Sequence, residues 1–119
     1  MFDSIEHIRA YQAALISARR LLCDEGKLIV TTLNAHSFVR PLLGRRWAWH
    51  QDPTHVHLFS RRSLYSAMSS AGFRHIRIET ILNFCCAGES FPLLGPLRRI
   101  GTVVQIPWIG DTLLAVATR

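Results

Sequence analysis

Residues 27–32, Lys-Leu-Ile-Val-Thr-Thr, form a short apolar and β-branched run without polar–apolar alternation. Such a run belongs to a strand covered on both faces, in the middle of a sheet rather than on a solvated edge. What precedes it has a different period. Ile8, Tyr11, Leu15, Ala18 and Leu22 recur at spacings of three and four, which predicts a helix over 8–23 with one buried face. Arg19 and Arg20 fall in its last turns, where cations oppose the helix dipole, and Gly26 stands after it as a stop. Helix, glycine turn and buried strand make an α/β unit.

The remainder fits the same class. A short helix is expected over 35–43, limited by Pro41 and ended by Gly44. Residues 46–59 are irregular and hold Trp47, Trp49, His50, His55 and His57. Ser60 caps a helix over 61–71 whose Leu64, Ala67 and Met68 face inward, with Gly72 closing it. A strand is expected over 73–82, with Phe73, His75 or Ile76, Ile78 and Ile81 on one face, and a last strand over 112–118. The proline- and glycine-punctuated segment 83–110 reads as an insertion or lid, with room for one helix over 93–104. The 119 residues make one domain.

With 49% hydrophobic and 18% charged residues, the chain has the composition of a packed domain rather than a disordered one. No apolar run approaches the roughly 20 residues of a membrane span, and Asp3 and Glu6 interrupt any signal-like start, so a cytoplasmic location is expected. Cys23, Cys85 and Cys86 lack zinc-type spacing and an even count; the adjacent pair reads as small buried residues. The net charge is +6, and arginine pairs stand at 45–46, 61–62 and 98–99. They suit an anionic partner or a solvated surface, but no aromatic interleaving accompanies them, so nucleic acid is not expected. Residues 91–101 combine an apolar face with Arg98 and Arg99, which fits a lipid surface or a packed lid.

Chemistry concentrates at Asp3, Glu6 and His7, ahead of the first helix. The order Ile5-Glu6-His7-Ile8, a helix ending Arg-Arg-Leu-Leu, Gly26 to Thr32 and Asn34 resembles the second half of a class I S-adenosylmethionine-dependent methyltransferase, which reads "EH(I/V/L)", helix, "LkpGG", strand, "TPN". His55-Val-His57-Leu-Phe-Ser-Arg-Arg-Ser-Leu64 and Ala71-Gly-Phe73 are similar to its "H-x-F-s-x-x-s-L…aGF" segment. Asp24-Glu25 replace the family's Pro-Gly and Leu33 its Pro, changes of turn shape. The resemblance implies a partial Rossmann-like α/β sheet with a strand over 1–5, the fourth of seven. No G-x-G-x-x-G or D-x-G-x-G occurs, so the main S-adenosylmethionine loop is absent from this chain and the cofactor-binding half is expected upstream. Alone, the chain is expected to be inactive and to pair with a complementary N-terminal half, or with itself, through an open sheet edge.

By the same resemblance Phe2, Asp3 and Ser4 approach the cofactor's methionine end, and Glu6, His7, His55 and His57 face the acceptor. Two branches of the family hold a divalent metal with E-x-x-E-H, and here Asp3, Glu6, His7 and His57 would form that set, activating an acceptor hydroxyl. Alternatively Glu6 caps the following helix and His7 bonds backbone. His55 and His57, two apart, share a face of an extended segment and serve as base or substrate contact, or satisfy loop backbone. Trp47, Trp49 and His50 clamp the substrate or anchor their loop. The implied activity is methyl transfer to a hydroxyl of a small, lipid- or sugar-linked acceptor. The alternatives are a non-catalytic basic module that binds an anionic partner or a complementary N-terminal half, and a metal-binding domain built on the histidines.

Overall fold

The computed structural model describes residues 1–38, 40–41, 44, 52–83, 103–104 and 110–119. A 3₁₀ turn, Ile5–His7, precedes α1 (Tyr11–Leu21) and β1 (Lys27–Leu33). Next come α2 (Arg61–Ser70), β2 (Arg74–Asn83), the two-residue β3 (Val103–Val104) and β4 (Thr112–Thr118). The sheet order is β1-β4-β2-β3. β4, last in sequence, lies between β1 and β2 and is antiparallel to both, in register from Lys27↔Thr118 to Leu33↔Thr112 on one side and from Arg74↔Thr118 to Ile81↔Thr112 on the other. β1 and β2 therefore run parallel, joined by the crossover through α2, the arrangement an α/β sheet requires.

The chain start sits on the other edge of β1. Phe2 bridges Thr31 in parallel sense. Thr31 N–H donates to Met1 O at 2.9 Å, Asp3 N–H to Thr31 O at 3.1 Å, and the terminal amine to Ile29 O at 2.7 Å. The strand expected over 1–5 is thus confined to residues 1–3. Asp3 takes a left-handed φ of 42°, and the chain then tightens into the 3₁₀ turn.

The helices pack their predicted faces on the sheet. Leu15 is buried, with Tyr11, Ala18 and Leu22 against it, and Leu64, Ala67 and Met68 of α2 meet Val30, Ile78, Leu113, Ala115 and Ala117 in one core. Ser60 closes a capping box with Ser63: Ser63 N–H donates to Ser60 Oγ at 3.1 Å, and Ser60 N–H to Ser63 Oγ at 2.9 Å.

Several boundaries differ from expectation. α1 begins at Tyr11 rather than Ile8 because residues 5–7 are spent on the 3₁₀ turn. Val103 and Val104, the end of the helix expected over 93–104, form β3 against Leu82 and Asn83. Residues 35–38 lie in a turn, and only 40–41 of the expected 35–43 helix are seen as helical. The rest of that helix, the remainder of 84–109, Arg45, Arg46, Trp47, Trp49, His50, Cys85, Cys86, Arg98 and Arg99 lie outside the described residues. β1 is not covered on both faces throughout: Leu28, Val30 and Thr32 are buried, but Ile29 is 41% exposed on the opposite face.

In the turn after α1 the left-handed residue is Glu25, φ 64°. A side chain in that region costs about 1 kcal/mol relative to glycine. Glu25→Gly is therefore expected to raise stability by about 0.5–1 kcal/mol, read as a higher urea midpoint at unchanged slope; an unchanged or lower midpoint contradicts this.

Candidate functional site

The site is built where the 3₁₀ turn meets the extended segment 55–57. Glu6 O accepts hydrogen bonds from both Val56 N–H and His57 N–H, each at 3.0 Å, which clamps the two segments together. Glu6 itself is fully buried. Its Oε2 accepts from the Thr32 hydroxyl at 2.8 Å, from the end of β1, while its Oε1 has no hydrogen-bond partner. A buried carboxylate oxygen left unbonded costs about 1–3 kcal/mol, so its retention asks for a reason beyond packing. Among the described residues neither the 3₁₀ turn nor α1 has a side-chain cap, so Glu6 is not a helix cap.

Two imidazoles lie near that carboxylate. The rings of His7 and His55 lie 4.7 Å apart between centroids, tilted by 38°. Ligand-type atoms of Glu6, His7 and His55 fall within 4.8 Å of one another. His7 Nδ1 lies 3.1 Å from Thr54 O. A carbonyl only accepts, so Nδ1 carries the proton and Nε2 of neutral His7 keeps a free lone pair. His55 Nε2 is 3.8 Å from the Asp52 carboxylate. The Asp52 carboxyl is held below the ordinary carboxylate range, chiefly by the Thr54 hydroxyl and also by the Thr54 backbone N–H. A depressed carboxyl adds stability above its unfolded pKa and loses it as pH falls through the folded one, so Asp52 stays anionic beside His55 at neutral pH.

His57 does not join this group. Its Nε2 donates to Arg9 O at 3.2 Å, and its ring meets Tyr11 edge-on at 4.8 Å. Asp3 does not join it either: it is exposed, and its carboxylate accepts from the Thr31 hydroxyl at 3.0 Å on the sheet edge. Among the described residues the only metal-type grouping is Glu6, His7 and His55. The four-ligand set of Asp3, Glu6, His7 and His57 is therefore not assembled: the 3₁₀ turn carries Glu6 inward while Asp3 stays on the edge of β1. What remains together is one carboxylate and two imidazoles, without the second carboxylate and the His57 ring of the expected set.

The residues expected on the cofactor side lie at the start of the chain, beside β1. Phe2 is 67% exposed, Asp3 is engaged by Thr31, and the Ser4 hydroxyl donates to Phe2 O at 2.5 Å. These groups form a ledge on the sheet edge. Sequence reasoning missed Thr32 and Thr54, which hold the cluster, placed Asp52 with the substrate loop rather than beside His55, and missed the role of Asn34. Asn34 Nδ2 donates to Gly110 O and Asn34 N–H to Asp111 O, both at 2.8 Å, tying the end of β1 to the start of β4.

Comparison with known proteins places this geometry. A family model described as a methyltransferase domain matches residues 1–78. No curated protein matches. Among solved structures, an S-adenosylmethionine-dependent methyltransferase from Thermotoga maritima, described as a possible histamine N-methyltransferase, superposes with a TM-score of 0.72 at 23% identity, over 99% of this chain and 53% of that one. A methyltransferase from Archaeoglobus fulgidus gives 0.65 at 13% identity, over 100% of this chain and 57% of that one. Phosphoethanolamine N-methyltransferase 2 of Haemonchus contortus, in complex with S-adenosylmethionine, gives 0.60 at 14%, over 99% and 32%. The chain spans about half the length of the first two. No helix among the described residues is long and apolar enough to cross a membrane. With its β1-β4-β2 sheet, its Glu6-His7 turn at the edge of β1 and a family match over residues 1–78, the chain belongs to the methyltransferase domain family.

Proposed function

We propose that this chain supplies the acceptor side of S-adenosylmethionine-dependent methyl transfer to a hydroxyl of a small, lipid- or sugar-linked molecule. The observation that carries this reading is the buried Glu6 carboxylate, with one oxygen unbonded, near the His7–His55 pair. When bound, the cofactor supplies the electrophilic methyl group. The chain's own residues provide the base. His7 Nε2 takes the acceptor's hydroxyl proton, because Nδ1 is already committed to Thr54 O. The resulting imidazolium is stabilised by the nearby Glu6 carboxylate and by Asp52 through His55. His57 orients the segment through Arg9 and Tyr11 rather than touching the acceptor. Trp47, Trp49 and His50 belong to the same proposal as substrate contacts, and 83–110 as its lid.

Cofactor grip comes, on this reading, from a complementary N-terminal half that pairs with the exposed edge at Met1–Asp3 and covers Phe2 and Ile29. Self-association through the same edge is the competing use of that surface. A second reading, a non-catalytic basic module, is favoured by the internally bonded Asp3 and Ser4.

The test joins this chain behind the part of the Thermotoga maritima protein that it does not cover, and measures transfer of labelled methyl to a panel of hydroxyl acceptors. The expected result is transfer to at least one acceptor, lost by about 100-fold in His7→Ala. A chimera that folds cooperatively and binds S-adenosylmethionine, yet labels no acceptor faster than its His7→Ala form, favours the module instead.

A further inference from the structure

A second concave site lies away from the Glu6 cluster, between the amino end of α2 and the outer half of β2. It is an open cleft of about 650 Å3. Cations reach it from separate elements: Arg61 and Arg62 from the first turn of α2, Arg77 from β2, with His36 from the turn after β1. Tyr65 and Ile76 form its apolar wall. Arg62 and Arg77 are exposed and have no ion-pair partner among the described residues. Cations converging on a hollow with low-dielectric walls repel one another and concentrate a positive field, which an anion relieves. The capping box uses the backbone N–H of Ser60 and of Ser63, not those of Arg61 and Arg62, so the first-turn amides add to that field. The cleft opens beside Asn34, just after the end of β1.

We propose that this cleft binds the phosphoryl group of a phosphate monoester whose organic part lies against Tyr65 and Ile76. A carboxylate offers two oxygens in one plane and is satisfied by a single guanidinium fork. Donors arriving from α2, from β2 and from the β1 turn suit three terminal oxygens instead.

The experiment titrates the 119-residue chain with phenyl phosphate, benzoate and phenol in phosphate-free buffer, and in parallel sediments it with phosphatidylcholine vesicles with and without phosphatidate. Saturable one-to-one binding of phenyl phosphate is expected, with benzoate and phenol at least tenfold weaker. The double variant Arg62→Gln/Arg77→Gln should bind at least tenfold more weakly at an unchanged melting temperature. Arg20→Gln, on the exposed side of α1, should bind like the parent. Arginine-dependent sedimentation with phosphatidate assigns the phosphoryl group to a lipid; phenyl phosphate binding without it assigns a soluble monoester. The proposal is overturned if neither probe binds saturably, if benzoate binds as well as phenyl phosphate, or if the Arg20 variant loses as much as the double variant. None of these titrations contains S-adenosylmethionine, so their failure leaves the methyl-transfer reading standing, and the reverse.

Discussion

Gly110→Ala is expected to cost about 3 kcal/mol or more, a large share of the roughly 5–15 kcal/mol that holds a domain folded. A Cβ on Gly110 would lie 2.3 Å from Ile81 O, 2.5 Å from Ile81 C and 2.6 Å from Ile81 N. All three are backbone atoms of β2, so no side chain can rotate out of the way. Relief requires β4 and β2 to separate where their ladder starts, at Ile81↔Thr112. The displacement also reaches the site, because Gly110 O holds the Asn34 side chain, and Ala35 N–H next to it donates to Phe59 O at 2.8 Å. Gly44→Ala is the control. Gly44 has a left-handed φ of 51° but nothing within 4 Å of an added Cβ, so its cost is the conformational one alone, about 1 kcal/mol. Urea midpoints of the two variants separate the mechanisms: a Gly110→Ala midpoint no lower than that of Gly44→Ala would mean that the two strands do not approach so closely.

The second large effect is on rate. Glu6→Gln is nearly isosteric, and its amide oxygen can still accept from the Thr32 hydroxyl. It removes the buried charge near His7 and His55. Stability should stay within about 1 kcal/mol of the parent or rise, because an uncompensated buried carboxylate is replaced by a neutral group. Methyl transfer by the chimera should fall about 100-fold or more, carried by kcat rather than KM, because the imidazolium formed at His7 loses its counter-charge. A structural role for Glu6 predicts the opposite pairing, with rate retained and stability lost.

How far these features were legible from sequence depends on the range of the interaction that sets them. β1, α2 and β4 were readable nearly to the residue, since local period and capping chemistry dictate them and Ser60 announces the start of α2. β2 was located with an ambiguous face, His75 or Ile76. The structure shows a register shift between Arg74 and Arg77, with His75 at φ 46°, a bulge that period-two reading cannot place. Glu6 and His7 stood out as adjacent ionisable groups before a helix, but the choice between His55 and His57 was not legible. Period two assigned both to one face, whereas one carbonyl, Glu6 O, accepts from both Val56 and His57. The segment therefore follows no regular ladder, and the two rings go to different neighbours, His7 for one and Tyr11 for the other. Thr32 and Gly110 were invisible as site supports for a simpler reason: their contacts span 26 and 76 residues.

Isothermal titration of the 119-residue chain with S-adenosylmethionine addresses most directly whether it is an acceptor-side unit lacking its own cofactor grip. The expected trace for the chain alone is flat up to millimolar ligand, with saturable binding appearing in the chimera that adds the Thermotoga maritima segment. A one-to-one isotherm of micromolar affinity from the unaided chain would contradict this, and would mean that residues 2–4 and their surroundings already form a complete cradle.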